Sequence, residues 1–461
     1  MTAFAIISYS MTAKFSGEKR ERVAPWYRID NSAAIYPMSI TETTQSIFRF
    51  AADLDEFVDE QILEDALTDV LPRFPSFRVQ LRAGLFRHYF DHNEGKPVVR
   101  PDNGVILEKI DFFANHFYLF RVRYYRKRIS IDFFHGLCDG AGAMVFFRAL
   151  LHRYLYLAGR VAERAEGIAL ADEPPRPAEQ EDAFVRYYDK KFRLFGAAGK
   201  MIGKNAFPVR GKRLRGAGYG VVTGTCDAAE LKAVARRYGC SITAYLGGLA
   251  LWSIVTASPD PKPKEDPAVM IPINLRKVFP SETLKNFTSL IRCVVDRKTT
   301  PLTLEAYCAA VEAELRRGAG DTEELRAKLS LSALMGAKWY MKILPLFVKT
   351  AITKLGKLFS FKTKQTLILS NLGVVDLPES HQGLIEKMTF NVNLSRKVPK
   401  NVGVVTVGGR TTVTFTRMIC DTEVETVFFR RLREDGVGSL AVESNFREGM
   451  TPRVDKEAKP C

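Results

Sequence analysis

The chain has 461 residues, of which 46% are hydrophobic, 26% charged and 11% aromatic, and it carries a formal charge of +16. This composition excludes a disordered polymer, and the length exceeds the roughly 250 to 300 residues that one hydrophobic core serves, so two lobes are expected. Its seven cysteines, at 138, 226, 240, 293, 308, 420 and 461, form no C-x-x-C pair, which excludes a zinc pattern or a disulfide framework and points to the cytoplasm.

Residues 1–24 read as a tail. The opening MTAFAIISYSMTAKF has a short apolar patch but no leading basic residues and no cleavage region, so no signal peptide is expected. QSIFRFAADL alternates as a strand does. Asp53 or Asp55 then stands ready to cap a helix through EFVDEQILEDALTDVLPRF, with Phe57, Ile62, Leu63, Leu67 and Leu71 at helical spacing. Strands are predicted at FRVQLRAG, FRHYFDHN, HFYLFRVRYYRKR and RISIDFF, and AMVFFRALLHRYLYLAG reads as a helix stopped by Gly159. Together these make a first lobe over 25–172. EPPRPAEQED opens a proline- and carboxylate-rich linker, which with the basic stretches behind it spans 173–218.

The second lobe, 219–448, alternates sheet and helix again. It opens with the strand YGVVTGTC, a helix from Asp227 and a helix from Ser241 or Thr243 through ITAYLGGLALWSIVTA. Strands AVMIPINLR and NFTSLIRCVVD, helix TLEAYCAAVEAELRRG, strands KQTLILSNLG, KMTFNVNLS, NVGVVTVGG and TTVTFTRMI, and a last helix DTEVETVFFRRLRED follow, before a tail over 449–461. No run reaches the 18 or so apolar residues of a membrane span, so a soluble or peripheral protein is expected.

Chemistry concentrates in IDFFHGLCDGAGA, residues 131–143, where His135, Asp139 and Gly140 form H-x-x-x-D-G at a strand end. Chance produces such a match in roughly 2% of chains of this kind, so the motif alone does not decide function. Cys138 reads as a small buried residue, and no second cluster has zinc spacing, so no metal is expected. His88, His92, His116, His152 and His381 are expected on surfaces or strand ends. The excess of positive charge favours an anionic partner. Nucleic acid is not expected, because no zinc finger, Walker loop or RNP-type strand is present. Residues 336–364 hold seven lysines and no carboxylate, with Pro345 dividing them. They read either as a solvated helix face or as peripheral contact with an anionic membrane, which would be the inner membrane surface.

FFHGLCDGAGAMVFF resembles the active-site motif of the chloramphenicol acetyltransferase superfamily, which includes peptide-synthetase condensation domains, wax ester synthases and alcohol acetyltransferases. LPRFPSFRVQL, LKAVARRYGCSITAYLGGLALWSI, IPINLRKVFPSETLKNFTS and LILSNLG are similar to further family stretches in the same order, so the resemblance spans most of the chain and is nearest to bacterial alcohol acetyltransferase-like members. It implies an α/β (α+β) fold of two chloramphenicol-acetyltransferase-like sandwich lobes with an active-site tunnel between them. It also implies transfer of an acyl group from acyl-CoA, a co-substrate and not a bound cofactor, to an alcohol. His135 would be the general base, since an imidazole with an ordinary pKa near 6.5 both takes and returns a proton near neutrality.

Asp139 invites a triad reading in which it orients His135. The resemblance implies instead a structural ion pair with Arg276, in INLR. Gly136 and Gly140 permit a tight loop. Phe134 stands where condensation domains carry a first histidine, which favours a free acyltransferase over a peptide-forming module. Asn274, Ser370 and Asn371 are candidates for oxyanion donors or tunnel lining. Two alternatives remain open: amide formation on an amine from an acyl carrier protein thioester, and a non-catalytic scaffold that binds an acyl carrier or a membrane.

Overall fold

A computed structural model describes residues 26–27, 29–30, 32–41, 45–189, 204–214, 218–258, 264–337, 343–359 and 363–445. The tails expected at 1–24 and 449–461, and parts of the basic segments at 190–203 and 338–342, lie outside the described residues. The first half supplies β1 (Trp26–Tyr27), α1 (Ile35–Met38), β2 (Ile47–Leu54), α2 (Glu60–Val70), β3 (Val79–Ala83), β4 (His88–His92), β5 (Val99–Pro101), β6 (Phe120–Tyr125), β7 (Arg128–Phe134) and α3 (Gly140–Leu157). The second half supplies β8 (Gly220–Asp227), β9 (Ala268–Asn274), β10 (Thr288–Val294), β11 (Leu367–Val374), β12 (Ile385–Asn391), β13 (Lys400–Val407), β14 (Arg410–Arg417) and β15 (Ala441–Ser444).

These strands form sheets of order β1-β4-β3, β12-β2-β7-β6-β5 and β10-β9-β11-β13-β14-β8-β15. The five-stranded sheet shares one core with α2 and α3, built from rings such as Phe50, Phe77, Phe133 and Phe146. The opposite face of β2 is buried as well: Arg49 Nε and Nη2 donate to Asp132 at 2.7 and 2.8 Å. A second core joins the seven-stranded sheet to helices Ile242–Thr256, Leu304–Gly320 and Glu423–Glu434. Ile242–Thr256 is apolar all round because it is buried on every side. Among the described residues no single helix is long and apolar enough to cross a membrane.

One strand does not follow the division at residue 219. β12 pairs antiparallel with β2, Phe390 opposite Phe50 and Met388 opposite Ala52, and so completes the sheet of the first lobe. Its remaining side rests on the second lobe, where Asn391 Nδ2 donates to Thr416 Oγ1 at 3.3 Å and Thr412 Oγ1 donates to the Met388 carbonyl. The run Met388–Asn391 is buried throughout, its apolar side chains among the rings of the first lobe and its polar groups bonded to the second. The segment read as a linker is also packed in its described part. Buried Arg73 donates to both oxygens of Glu179 at 2.7 and 2.8 Å, and the Glu179 carbonyl accepts from Leu284 N at 2.8 Å. It thereby holds loop 275–287 of the second lobe against the first.

Helix ends follow their capping residues. Asp227 and Ser241 cap as predicted, each accepting backbone N–H bonds through its side chain, and Gly159 with φ +73 closes α3. The cap of α2 is Asp59, which accepts from Ile62 N at 3.0 Å, and not Asp53 or Asp55. Those two are engaged by Arg128 and Arg160 at 2.8 and 2.7 Å, because β2 runs on to Leu54. Phe57 accordingly precedes the helix and is exposed.

His152 and His381, expected at surfaces or strand ends, are both buried and meet each other. His152 Nε2 donates to the Glu163 carbonyl at 3.0 Å, so its Nδ1 accepts from His381 Nε2 at 3.2 Å, and His381 Nδ1 faces Ser380 Oγ at 3.2 Å. His381 is neutral in this arrangement. Burial, with His152 and Arg148 nearby, pushes His381 down from 6.5 to about 4. Between those values the unfolded chain binds the extra proton, so buried His381 favours the fold above the window and that contribution is lost as pH falls through it. His381→Gln keeps a donor and removes the titration. Thermal midpoints measured from about pH 7 down to about pH 5 are expected to fall more steeply for the parent than for this variant.

Candidate active site

The ladder between β2 and β7 places His135. Phe134 ends the strand, and His135 N still donates to the Ser46 carbonyl at 2.8 Å, so the backbone of the histidine is held as firmly as the sheet. The ring of Tyr36, on α1, stacks on the imidazole at 4.7 Å and 14°, and Phe48 meets it edge-on at 5.1 Å. Asn286 holds the group from the second lobe: its Nδ2 donates to the His135 carbonyl at 3.1 Å, and its Oδ1 lies 3.1 Å from His135 Nδ1. Because the amide nitrogen must face the carbonyl, Oδ1 is the atom at the ring. His135 Nδ1 therefore carries the proton, and Nε2 is left with a free lone pair. Burial holds the imidazole below its ordinary 6.5, opposed by its own backbone carbonyl, the Asp139 charge and Asn286.

Asp139 is turned away from the imidazole. It is the N-cap of α3, with Oδ1 accepting from Gly142 N at 2.9 Å, and its Oδ2 accepts from Phe287 N at 2.7 Å. Arg276 completes the set, donating from Nη1 to Oδ2 at 2.9 Å and from Nη2 to Oδ1 at 3.2 Å. The guanidinium is itself fixed by the carbonyls of Thr283 and Lys285 at 2.8 and 2.6 Å and by Asn274 Oδ1 at 3.2 Å. The geometry is a clamp between the lobes, and the triad arrangement is not formed. Gly142 explains the small residues behind the motif: a Cβ there would run into the carbonyl of Leu284. Only a glycine lets the N-terminal turn of α3 touch the loop that carries Asn286.

A cavity of about 950 Å³ opens at His135. Its wall comes from both lobes, with Tyr36, Phe48, His135, Asp139, Gly140 and Met144 on one side and Ile271, Ile273, Asn274, Asn286, Ile368, Ser370 and Asn371 on the other. The structure thus gathers Asn274, Ser370 and Asn371 with the histidine, and sets Arg276 behind the wall. Their donor atoms are not equally free. Asn371 Nδ2 donates to Thr243 Oγ1 at 2.9 Å, whereas the Asn274 Oδ1 bond to Arg276 N at 3.0 Å leaves its Nδ2 toward other partners. The Cys138 thiol is buried and pushed far above its ordinary value by that burial, which disfavours the thiolate a nucleophile needs.

Asn286 and Tyr36 were not legible as site residues. Asn286 lies 151 residues from the histidine it meets, and only the polar residue in KNFTS, ahead of a half-buried strand, hinted at it. Tyr36 sits on a four-residue helix with no periodicity to read.

No protein-family model and no curated protein sequence matches the chain. Solved structures do. Polyketide synthase associated protein 5 from Mycobacterium tuberculosis superposes with a TM-score of 0.59 at 13% identity, over 88% of this chain and 98% of that one. TRI101 of F. graminearum, solved with coenzyme A and T-2 mycotoxin, gives 0.58 at 10% identity over 91% and 100%. TRI3 trichothecene 15-O-acetyltransferase from Fusarium sporotrichioides gives 0.56 at 10% identity over 89% and 96%.

Proposed function

We propose that this protein, which has the two-lobed fold of chloramphenicol acetyltransferases and condensation domains, is an acyltransferase that moves an acyl group from acyl-CoA to an alcohol. The observation that carries the reading is a neutral imidazole whose Nδ1 is bound to Asn286 and whose ring lines the inter-lobe cavity. Its Nε2 takes the proton of the acceptor hydroxyl as the oxygen attacks the thioester carbonyl. The tetrahedral intermediate then collapses with cleavage of the carbon–sulfur bond, and the imidazolium returns the proton to the departing thiolate. Ser370 and Asn274 are the donors suited to the developing oxyanion. Ile271, Ile273 and Ile368 supply an apolar wall for the acyl chain, and exposed Lys277 at the rim suits a phosphate of coenzyme A.

Support from relatives is of the same kind: one structure of this fold holds coenzyme A and another is named as an O-acetyltransferase. The test is incubation of purified protein with acyl-CoA donors and a panel of alcohols and amines, following free thiol and identifying products by mass spectrometry. Esters with stoichiometric thiol are expected. Amides in their place, or turnover only with an acyl carrier protein thioester, would move the assignment to a condensation-type reaction. Thiol release with no acylated product would end it.

A further inference from the structure

A helix packed on a globular protein turns its apolar side chains inward. Helix Leu346–Phe359 does the reverse. Phe347 is 71% exposed, Ile352 59% and Leu355 55%, and Ala351 is exposed between them. At roughly 100° per residue these four positions share one arc of about 140°. Exposed Lys354 borders that arc, and Lys349 lies behind it. The helix is joined at its first turn to the tip of the β3–β4 hairpin: Leu346 N donates to the Leu85 carbonyl at 2.8 Å, and Lys349 Nζ donates to the Phe86 carbonyl at 2.6 Å. Leu85 is 68% exposed, Phe86 41% and Ile343 60%. Two elements distant in sequence therefore build one face of bulky apolar side chains fringed by lysine and by Arg87. On the protein side, the same helix packs on α1, which carries Tyr36 against His135.

Charge and shape together select the occupant. The stretch 336–364 has seven lysines and no carboxylate in its sequence, and Lys354 and Arg87 stand exposed beside the apolar face, so the surroundings of that face attract anions. An acidic protein surface would pair the lysines and leave Phe347, Leu355 and Leu85 in water. An anionic bilayer takes both, with apolar groups sinking below the headgroups while the ammonium groups meet phosphates. We propose that the face formed by helix Leu346–Phe359 and the hairpin tip at Leu85 and Phe86 docks on an anionic phospholipid bilayer.

The test is co-sedimentation of the full-length protein with phosphatidylcholine vesicles containing roughly one part in three of phosphatidylglycerol, against pure phosphatidylcholine. Binding to the mixed vesicles is expected, weakened by added salt and at least about tenfold weaker without the anionic lipid. Phe347→Asp combined with Ile352→Asp is expected to lower partitioning by roughly a hundredfold, and Leu85→Asp by roughly tenfold. All three positions are exposed, so circular dichroism and turnover of a short water-soluble alcohol should match the parent. Equal sedimentation of parent and variants would overturn the proposal. So would absence of vesicle binding alongside capture of an acidic acyl carrier protein. Vesicle binding that follows the stated pattern, with no acyl transfer to any alcohol, would keep the docking face and remove the acyltransferase reading.

Discussion

His135→Ala is expected to lower kcat by a factor of roughly 10² to 10⁴ with little loss of fold. The anchoring bond to Ser46 comes from the backbone and survives the substitution, so the change removes the imidazole with its Tyr36 and Phe48 ring contacts and its bond to Asn286 Oδ1, and leaves the strand in place. The pH profile gives a sharper readout than the loss. Burial holds the base below its ordinary 6.5, and the neutral form is the active one, so kcat/KM should rise with pH on the acid side of that value and be level above it. Asn286→Asp places a carboxylate where Oδ1 now stands, 3.1 Å from Nδ1. That charge favours the imidazolium and should move the acid limb to higher pH, while Asn286→Ala should lower kcat and leave the limb near its place or lower. A limb that is unmoved in Asn286→Asp would show that this residue does not act on the base. Activity that persists in His135→Ala would remove His135 as the base.

Asp139→Ala is expected to destabilise the protein by about 3 to 5 kcal/mol, with part of the loss from the uncapped helix and most from Arg276 left without its carboxylate. Asp139 is buried and the Arg276 side chain is 13% exposed, so solvent replaces little of what is removed. Arg276→Met should cost a comparable amount, because it strands the carboxylate instead. The double variant removes both charges and should be more stable than the sum of the two single losses implies, by about 1 kcal/mol or more. Urea denaturation of the four proteins measures that coupling. A triad aspartate would behave differently, lowering kcat at nearly unchanged stability with no coupling to Arg276. Strictly additive losses would therefore break the clamp assignment.

Much of this architecture is legible in the residues because local signals carry it. Asp227 and Ser241 announce their helices by cap chemistry, Gly159 ends one, and apolar runs such as NVGVVTVGG mark strands of the seven-stranded sheet. His135 and Asp139 are readable since four residues of spacing encode a turn from a strand into a capped helix. What escaped reading was set by distant partners. Asp59 caps because the helix begins only at Glu60, β2 having run on to Leu54, and Asp53 and Asp55 are met by Arg128 and Arg160 from other elements. The meeting of His152 with His381 spans 229 residues, and Asn286 meets its histidine only when loop 275–287 is closed against Gly142. Pattern within a window contains no information about such pairs.

The strand Ile385–Asn391 means that position along the chain and membership of a folding unit are different things here. A first half cut off after residue 172 would present β2 as a bare edge, with Phe48 and Phe50 stripped of Phe390 and its backbone groups open to any passing strand. A second half alone would carry this strand with no sheet to complete. Neither piece is therefore a portable module. A first lobe taken from this chain keeps its sheet complete only if the seven residues Ile385–Asn391 travel with it. The same stitch makes drift of one lobe visible to the other, since residues facing β12 on both sheets have to change together.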